Sequence, residues 1–226
     1  MSKNSIWQDD FRIGTHQLDP KGQTQITAIC HILQEGASLH AELAGFGFEA
    51  MLQKGQLWVL ARLKVEMIRY PVWRERLTLK TWSRGQEGMF YIRDFMVEDE
   101  QQYIIAKASS AWAAINHRTR RPEPVEGLEQ GLHSLADQIV LVKKLNKLPE
   151  LQNQKLLRKR MVEYTDIDIL YHVNNVKYIE LIINSFPKET LLDHTLASIE
   201  INFLGETKYG EDVLIFAEPV TANAQW

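Results

Sequence analysis

Two hydrophobic periods alternate along the chain. From Thr24 to about Gly45 the apolar residues Ile26, Ile29, Leu33 and Ala37 recur at helical spacing, which predicts one long amphipathic helix. From Leu57 the period drops to two. Leu63, Val65 and Met67 alternate with Arg62, Lys64 and Glu66, the mark of a half-buried strand. Leu77–Trp82, Met89–Val97 and Tyr103–Ile115 predict further strands, and Ile6–Thr15 predicts one ahead of the helix. Pro20 and Gly22 place a turn at Leu18–Gly22, and Tyr70-Pro71 interrupts the strand pattern because proline donates no ladder bond. Gly45–Leu52 reads as a break followed by a short helical turn. One long helix followed by several antiparallel strands predicts a curved sheet wrapped around that helix.

From Arg118 the texture changes to a polar stretch with scattered leucines, read as a linker over 126–155 that crosses the surface and partly packs on it. Beyond it the pattern repeats. Leu157–Val162 is a strand, Val176, Ile179, Ile182 and Ile183 form a helical stripe, and Leu196–Phe203 and Val213–Phe216 alternate again. Trp73, Glu75 and Leu77 correspond to Tyr209, Glu211 and Val213 at one constant offset (209 − 73 = 136). The expected organisation is an N-terminal domain at 1–125, the linker, and a C-terminal domain at 156–226, forming a pseudo-dimer. After its Trp82 turn the first copy has further strands, whereas after the equivalent point the second has only Ala217–Trp226. Either its sheet has fewer strands or the chain as given stops early.

Between the repeated strand and helix lies Tyr164–Glu180, which packs Asp166, Asp168, His172, Asn174 and Asn175 into one turn. Asn174 and Asn175 are good helix caps, since an asparagine side chain accepts from an orphan backbone N–H. Asp168 and His172 bring an acid and a base to the positive end of a helix, where backbone donors can polarise a carbonyl. Asp166 reads as a structural turn acid.

Composition narrows the class. Apolar residues are 45% and charged residues 24% of 226, with a net charge of −3, which gives no case for a nucleic-acid binder. The single cysteine, Cys30, sits in an apolar helical run and reads as buried filler in a reducing compartment. The polar N-terminus is not a signal peptide, and no apolar run approaches a membrane span. A cytoplasmic protein with no membrane association is expected.

The chain resembles the plant and bacterial acyl-acyl carrier protein (ACP) thioesterases. In the first half the resemblance rests on Leu18–Gly22, Leu33–Glu42, Gly45–Phe48, Trp58–Arg62, Tyr70–Trp73, Thr81-Trp82 and Arg120–Pro122. In the second half it rests on Asp166–Asp168, His172–Tyr178 and Gly205–Gly210. It implies an α+β tandem (double) hotdog fold, each half a helix wrapped by a curved antiparallel sheet. It also implies hydrolysis of the thioester between a fatty acyl chain and the phosphopantetheine arm of ACP, with no metal and no bound cofactor. The family pattern Asp-x-Asn-x-His, followed by a Glu, falls on Asp168, His172 and Glu206. Its asparagine falls on Leu170, and the cysteine that follows the glutamate in some plant members is Thr207, which excludes a thiol nucleophile there.

In that chemistry Glu206 or His172 takes the proton of a water, and Asp168 orients the imidazole. Asn174, Asn175 or the backbone N–H groups of 173–175 hold the oxyanion. The aromatics Trp58, Trp73, Trp82 and Trp112 read as core and sheet packing. Seven cations against Glu150 alone lie between Lys143 and Arg160. Lys143, Lys144, Arg158, Lys159 and Arg160, with Arg120 and Arg121, form a candidate docking patch for the acidic carrier protein. Two other readings stay open: an acyl-CoA thioesterase of the same fold, or a catalytically weak acyl-ACP-binding protein because of Leu170. The assembly is either a monomeric pseudo-dimer or a homodimer.

Overall fold

The helical period after Thr24 produces α1, Ile26–Leu43, in a computed structural model that describes residues 5–218. The strands around it are β1 (Trp7–Arg12), β2 (Gln56–Met67), β3 (Arg76–Glu87), β4 (Phe90–Asp99) and β5 (Ile104–Asn116). Short helices α2 (Phe48–Gln53) and α3 (Leu128–Gly131) follow α1 and β5. The second copy supplies β6 (Lys155–Met161), α4 (Asn175–Ile183), α5 (Lys188–Asp193), β7 (Ser198–Asn202) and β8 (Asp212–Ala217). The chain divides into two units. One runs to Asn146 and takes in Leu196–Asn202; the other comprises Lys147–Thr195 and the residues from Phe203 on.

In the first unit all strands run antiparallel in the order β1-β3-β4-β5-β2-β7. Alternation sorts their side chains. Leu77, Leu79, Phe95, Val97, Ala106, Ala108 and Val65 are buried, as are Ile26, Ile29, Leu33 and Ala37 of α1. Each large apolar side chain so removed from water is worth about 1.5–3 kcal/mol. At Gly36 the helix lies tight against the sheet: a Cβ there would meet Leu79 Cδ2 at 2.3 Å and the Trp7 ring at 2.9 Å. Cys30 is buried as expected, and burial pushes its thiol up to about 12, so it is not a reactive group.

The stretch after β5 packs closely on this unit. Trp82 Nε1 donates to the Gln138 carbonyl at 2.9 Å, Leu135 N–H to the Ser83 carbonyl at 2.8 Å, and Arg62 Nη1 to the Leu145 carbonyl at 2.6 Å. Val125, Leu128 and Leu132 join Phe46, Met51 and Ala114 in a second apolar cluster, with Trp58 and Tyr91 packed edge-on at its margin. Asp94, fully buried, accepts from Ser109 Oγ and from Val140 N–H (2.9 Å); burial raises its carboxyl pKa against those bonds. Trp73 departs from the core role expected of it. It is half exposed, with the Arg74 guanidinium 4.2 Å above its ring.

Strand β7 pairs with β2, while β6 and β8 pair with each other. In the β2–β7 ladder Leu63 faces Ile201, Lys64 faces Glu200 and Val65 faces Ile199. Lys64 and Glu200 occupy the same place in the repeat (200 − 64 = 136), so the two copies of one strand join antiparallel about that pair. The last residues, 219–226, on which the question of further strands turns, lie outside the described residues.

Gly36→Ala tests the close approach of α1. The added methyl is expected to cost about 1–3 kcal/mol of unfolding free energy, read as a lower urea midpoint at unchanged slope. An unchanged midpoint would mean that the helix can back away from Leu79 and Trp7 freely.

Candidate active site

Strand β6 leads into a single 3-10 turn at Tyr164–Asp166, then a tight loop, then α4. Asp166 is almost completely buried and takes the Arg160 guanidinium at 3.1 Å and the Glu163 N–H at 2.9 Å. Its carbonyl accepts from Asn174 N–H at 2.9 Å, closing the loop at its base. Inside the loop Asp168 N–H donates to the His172 carbonyl (2.9 Å) and Tyr171 N–H to the Asp168 carbonyl (3.0 Å). Leu170 N–H donates to Asp168 Oδ1 at 2.8 Å, an Asx turn. Tyr171 sits at φ 61°, in the left-handed region that favours glycine.

Val173 N–H reaches across to the Thr207 carbonyl at 2.9 Å. Residues 173 and 207 each follow a titratable residue, so this bond brings His172 and Glu206 together. His172 Nε2 lies 3.4 Å from Glu206 Oε2, with the side chains 19% and 36% exposed. The pair is therefore accessible and partly screened. Beside it, Tyr178 of α4 donates to Thr207 Oγ1 at 2.9 Å and accepts from Thr207 N–H at 3.2 Å. The Tyr178 ring also meets Phe203 edge-on at 6.1 Å.

The first copy is built the same way. Asp19 N–H donates to the Gln23 carbonyl (2.7 Å), Gly22 N–H to the Asp19 carbonyl (3.0 Å), Gln25 N–H to the Gln17 carbonyl (2.8 Å) and Thr24 N–H to the Pro71 carbonyl (2.8 Å). Lys21 N–H donates to Asp19 Oδ1 at 2.8 Å, as Leu170 does to Asp168. Positions in this part of the repeat correspond at another constant offset (168 − 19 = 149), because the intervening segments differ in length. The counterpart of Asp168 is Asp19, that of His172 is Gln23, and that of Glu206 is Tyr70. The fold thus builds the loop twice and arms it once.

Among the sequence-derived candidates, His172 and Glu206 come together. Asp168 lies in the same loop, where its carboxylate binds the loop's own backbone. Asp19 does likewise in a copy without the histidine or the glutamate. Asn174 is the helix cap, its Oδ1 accepting from Val176 N–H at 2.9 Å. Val173 N–H and Asn174 N–H both close the loop, which leaves the first residue of α4, Asn175, as the oxyanion candidate at the helix end. Arg160, one of the docking candidates, is held by Asp166 and Glu163. Arg158 Nη1 donates to the Asn184 carbonyl and Lys159 pairs with Asp212 at 2.8 Å. Lys143 and Lys144, in the other unit with the exposed Arg120 and Arg121, face Glu200 at 3.9 Å and Glu87 at 3.3 Å. Tyr178 escaped the sequence reading, since its partner lies 29 residues away. The described residues contain no group of three metal-ligating side chains and no helix long and apolar enough to cross a membrane.

Residues 4–127 match the acyl-ACP thioesterase N-terminal domain and residues 150–226 its C-terminal domain. A chloroplastic palmitoyl-acyl carrier protein thioesterase of Gossypium hirsutum is 31% identical over 89% of this chain and 52% of its own length. An oleoyl-acyl carrier protein thioesterase of Coriandrum sativum is 27% identical over 94% and 62%. The chain spans about half the length of curated relatives it matches. Among solved structures, an acyl-ACP thioesterase of Bacteroides thetaiotaomicron superimposes with TM-score 0.90 at 28% identity, covering 99% of this chain and 91% of that one. The 12:0-ACP thioesterase of Umbellularia californica gives 0.78 at 25%, covering 97% and 85%. The fold is the α+β tandem hotdog of these proteins.

The strained Tyr171 offers a test of the loop. Tyr171→Gly, which restores what Gly22 provides in the first copy, relieves a left-handed penalty of about 1–2 kcal/mol against a glycine entropy cost of about 0.5–1 kcal/mol. A higher melting temperature is expected. A lower one would show that the tyrosine ring holds the loop by packing.

Proposed function

Because the chain belongs to the acyl-ACP thioesterase family, we propose that it hydrolyses the thioester of fatty acyl-ACP, releasing the fatty acid and ending chain elongation. The observation that carries the reading is the His172–Glu206 pair, 3.4 Å apart and open to water, beside the N-terminus of α4.

Thioester hydrolysis needs a nucleophilic water and a holder for the charge that develops on the carbonyl oxygen. Glu206 takes the proton as the water adds to the carbonyl carbon, and His172 steadies the carboxylate through Nε2. The tetrahedral oxyanion lies at the N-terminal end of α4, where the Asn175 N–H and the helix dipole favour negative charge. Collapse breaks the carbon–sulfur bond, and the phosphopantetheine thiolate leaves with the proton returned by the His172–Glu206 pair. Asp168 serves by holding the loop, so that the His172 ring keeps its place. The family asparagine would have stood at position 170, where Leu170 now contributes its backbone N–H to the Asp168 turn.

Acyl-ACP suits the exposed cations better than acyl-CoA does, because a carrier protein offers an acidic surface to read. Lys143 and Lys144 are about 70% exposed, and their surface ion pairs are worth little, so an acidic partner can displace those contacts. Arg120, Arg121, Arg158 and Lys159 complete the docking set in this proposal. The relatives are named for palmitoyl, oleoyl and 12:0 substrates, so family membership leaves the acyl length to be measured.

The test is fatty acid release from acyl-ACP of several chain lengths, with acyl-CoA of the same acyl group alongside. His172→Ala and Glu206→Gln are each expected to lower kcat about 100- to 10,000-fold while the fold persists. Leu170→Asn should turn over as fast as the unaltered chain or faster. Full activity in both the His172 and Glu206 variants would overturn the assignment, and binding without release would favour a non-hydrolytic acyl-ACP-binding protein.

A further inference from the structure

The hydroxyl pair Tyr178–Thr207 takes no part in the chemistry proposed above, yet it sits one residue from Glu206. The repeat supplies an internal control for it. The counterpart of Tyr178 is Ile29 (178 − 149 = 29), and that of Thr207 is Pro71 (207 − 136 = 71). Ile29 is fully buried, and proline has neither an N–H nor a hydroxyl. The first loop nonetheless closes with the same backbone bond, Thr24 N–H to the Pro71 carbonyl, at 2.8 Å against 2.9 Å for Val173 to Thr207. In the first copy Thr24 Oγ1 also donates to the Pro71 carbonyl, at 2.7 Å, so closing the loop does not require a phenol and a hydroxyl at these two positions. They are present in the copy that carries the histidine and the glutamate.

Their geometry indicates what they add. The N–H of Thr207 belongs to the peptide that follows the Glu206 Cα. Tyr178 Oη accepts from that N–H at 3.2 Å and donates to Thr207 Oγ1 at 2.9 Å, so one phenol fixes the plane of this peptide and the side chain beyond it. The Thr207 carbonyl is held from the other side by Val173 N–H. At the near end of the same loop, Phe203 packs edge-on against the Tyr178 ring. The segment 203–207, with Gly205 inside it, is thus anchored at both ends on one side chain of α4. Glu206 itself sits on an exposed loop where a carboxylate would otherwise sweep several rotamers.

We propose that Tyr178 is a positioning residue, which with Thr207 clamps the peptide after Glu206 and so holds that carboxylate against His172. The proposal rests on the reading of Glu206 and His172 as the hydrolytic pair. A misplacement of about 1 Å can cost about 100-fold in rate, so the clamp acts on kcat and leaves substrate binding alone.

The test uses the full chain with dodecanoyl-, palmitoyl- and oleoyl-ACP as probes. Tyr178→Phe removes the phenol oxygen and keeps the ring on Phe203. It is expected to lower kcat roughly 10- to 100-fold with KM changed less than about twofold. Thr207→Val should fall similarly, Thr207→Ser should recover most of that loss, and the double variant should be no worse than either single one, because both remove the same contact. A readout independent of turnover is the NMR titration of His172, whose midpoint in Tyr178→Phe should move toward that of Glu206→Gln. Unchanged kcat in Tyr178→Phe, or losses that multiply in the double variant, would overturn the clamp. If the unaltered chain releases no fatty acid from any probe, the hydrolase reading fails instead. The clamp is then decided by the His172 titration: a midpoint that stays with the unaltered chain overturns it.

Discussion

The site depends on one backbone hydrogen bond, from Val173 N–H to the carbonyl of Thr207. His172 and Glu206 stand on separate loops, and neither side chain has a reason of its own to find the other. Each, however, immediately precedes one partner of that bond. A net contribution of about 1 kcal/mol from such a bond would not hold two loops together alone. It is supported by Asn174 N–H on the Asp166 carbonyl and by Asp166 buried under Arg160. These polar groups around the His172–Glu206 pair keep the two loops in register.

Internal duplication allows structural and chemical roles to be separated without any other protein. The loop Asp19–Gly22 shares the backbone bonds of Asp168–Tyr171 and the carboxylate that accepts from the backbone two residues on, and Asp19 Oδ1 also accepts from Gln23 N–H at 3.0 Å. Whatever the copies share is what the loop needs in order to form. Where they differ, at Gln23 and His172, Tyr70 and Glu206, Ile29 and Tyr178, the second copy carries an imidazole, a carboxylate and a phenol in place of an amide, a phenol and an alkyl side chain. By this comparison Asp168 belongs first to the architecture. Positive φ is also distributed unevenly: Gly22 in the first copy answers to Tyr171 in the second, and Arg74 to Gly210. Each copy meets one of these left-handed positions with glycine and tolerates strain at the other.

The first unit is specialised differently. Its stretch between β5 and β6, polar enough to read as a linker, is tied down by Trp82, Ser83, Arg62 and the buried Asp94. A carboxylate removed from water is costly unless its oxygens are bonded. Ser109 and the Val140 N–H meet that need, which makes the covering segment part of the folded unit.

By itself the sequence determined what local physics and composition decide. Helical spacing located α1 and the start of α4, two-residue alternation located the strands, and proline and glycine located the turns. The acid, base and capping residues of Tyr164–Glu180 were legible because they lie close together along the chain. Pairings over long separations were not. That β7 would join β2 and that Tyr178 would seize Thr207 depend on groups brought together by folding, which leave no period and no spacing in the sequence. The meeting of His172 with Glu206 is of the same kind. Resemblance to a family could nominate both residues, but only the tertiary structure, through the closed loop and the Val173–Thr207 bond, set them 3.4 Å apart.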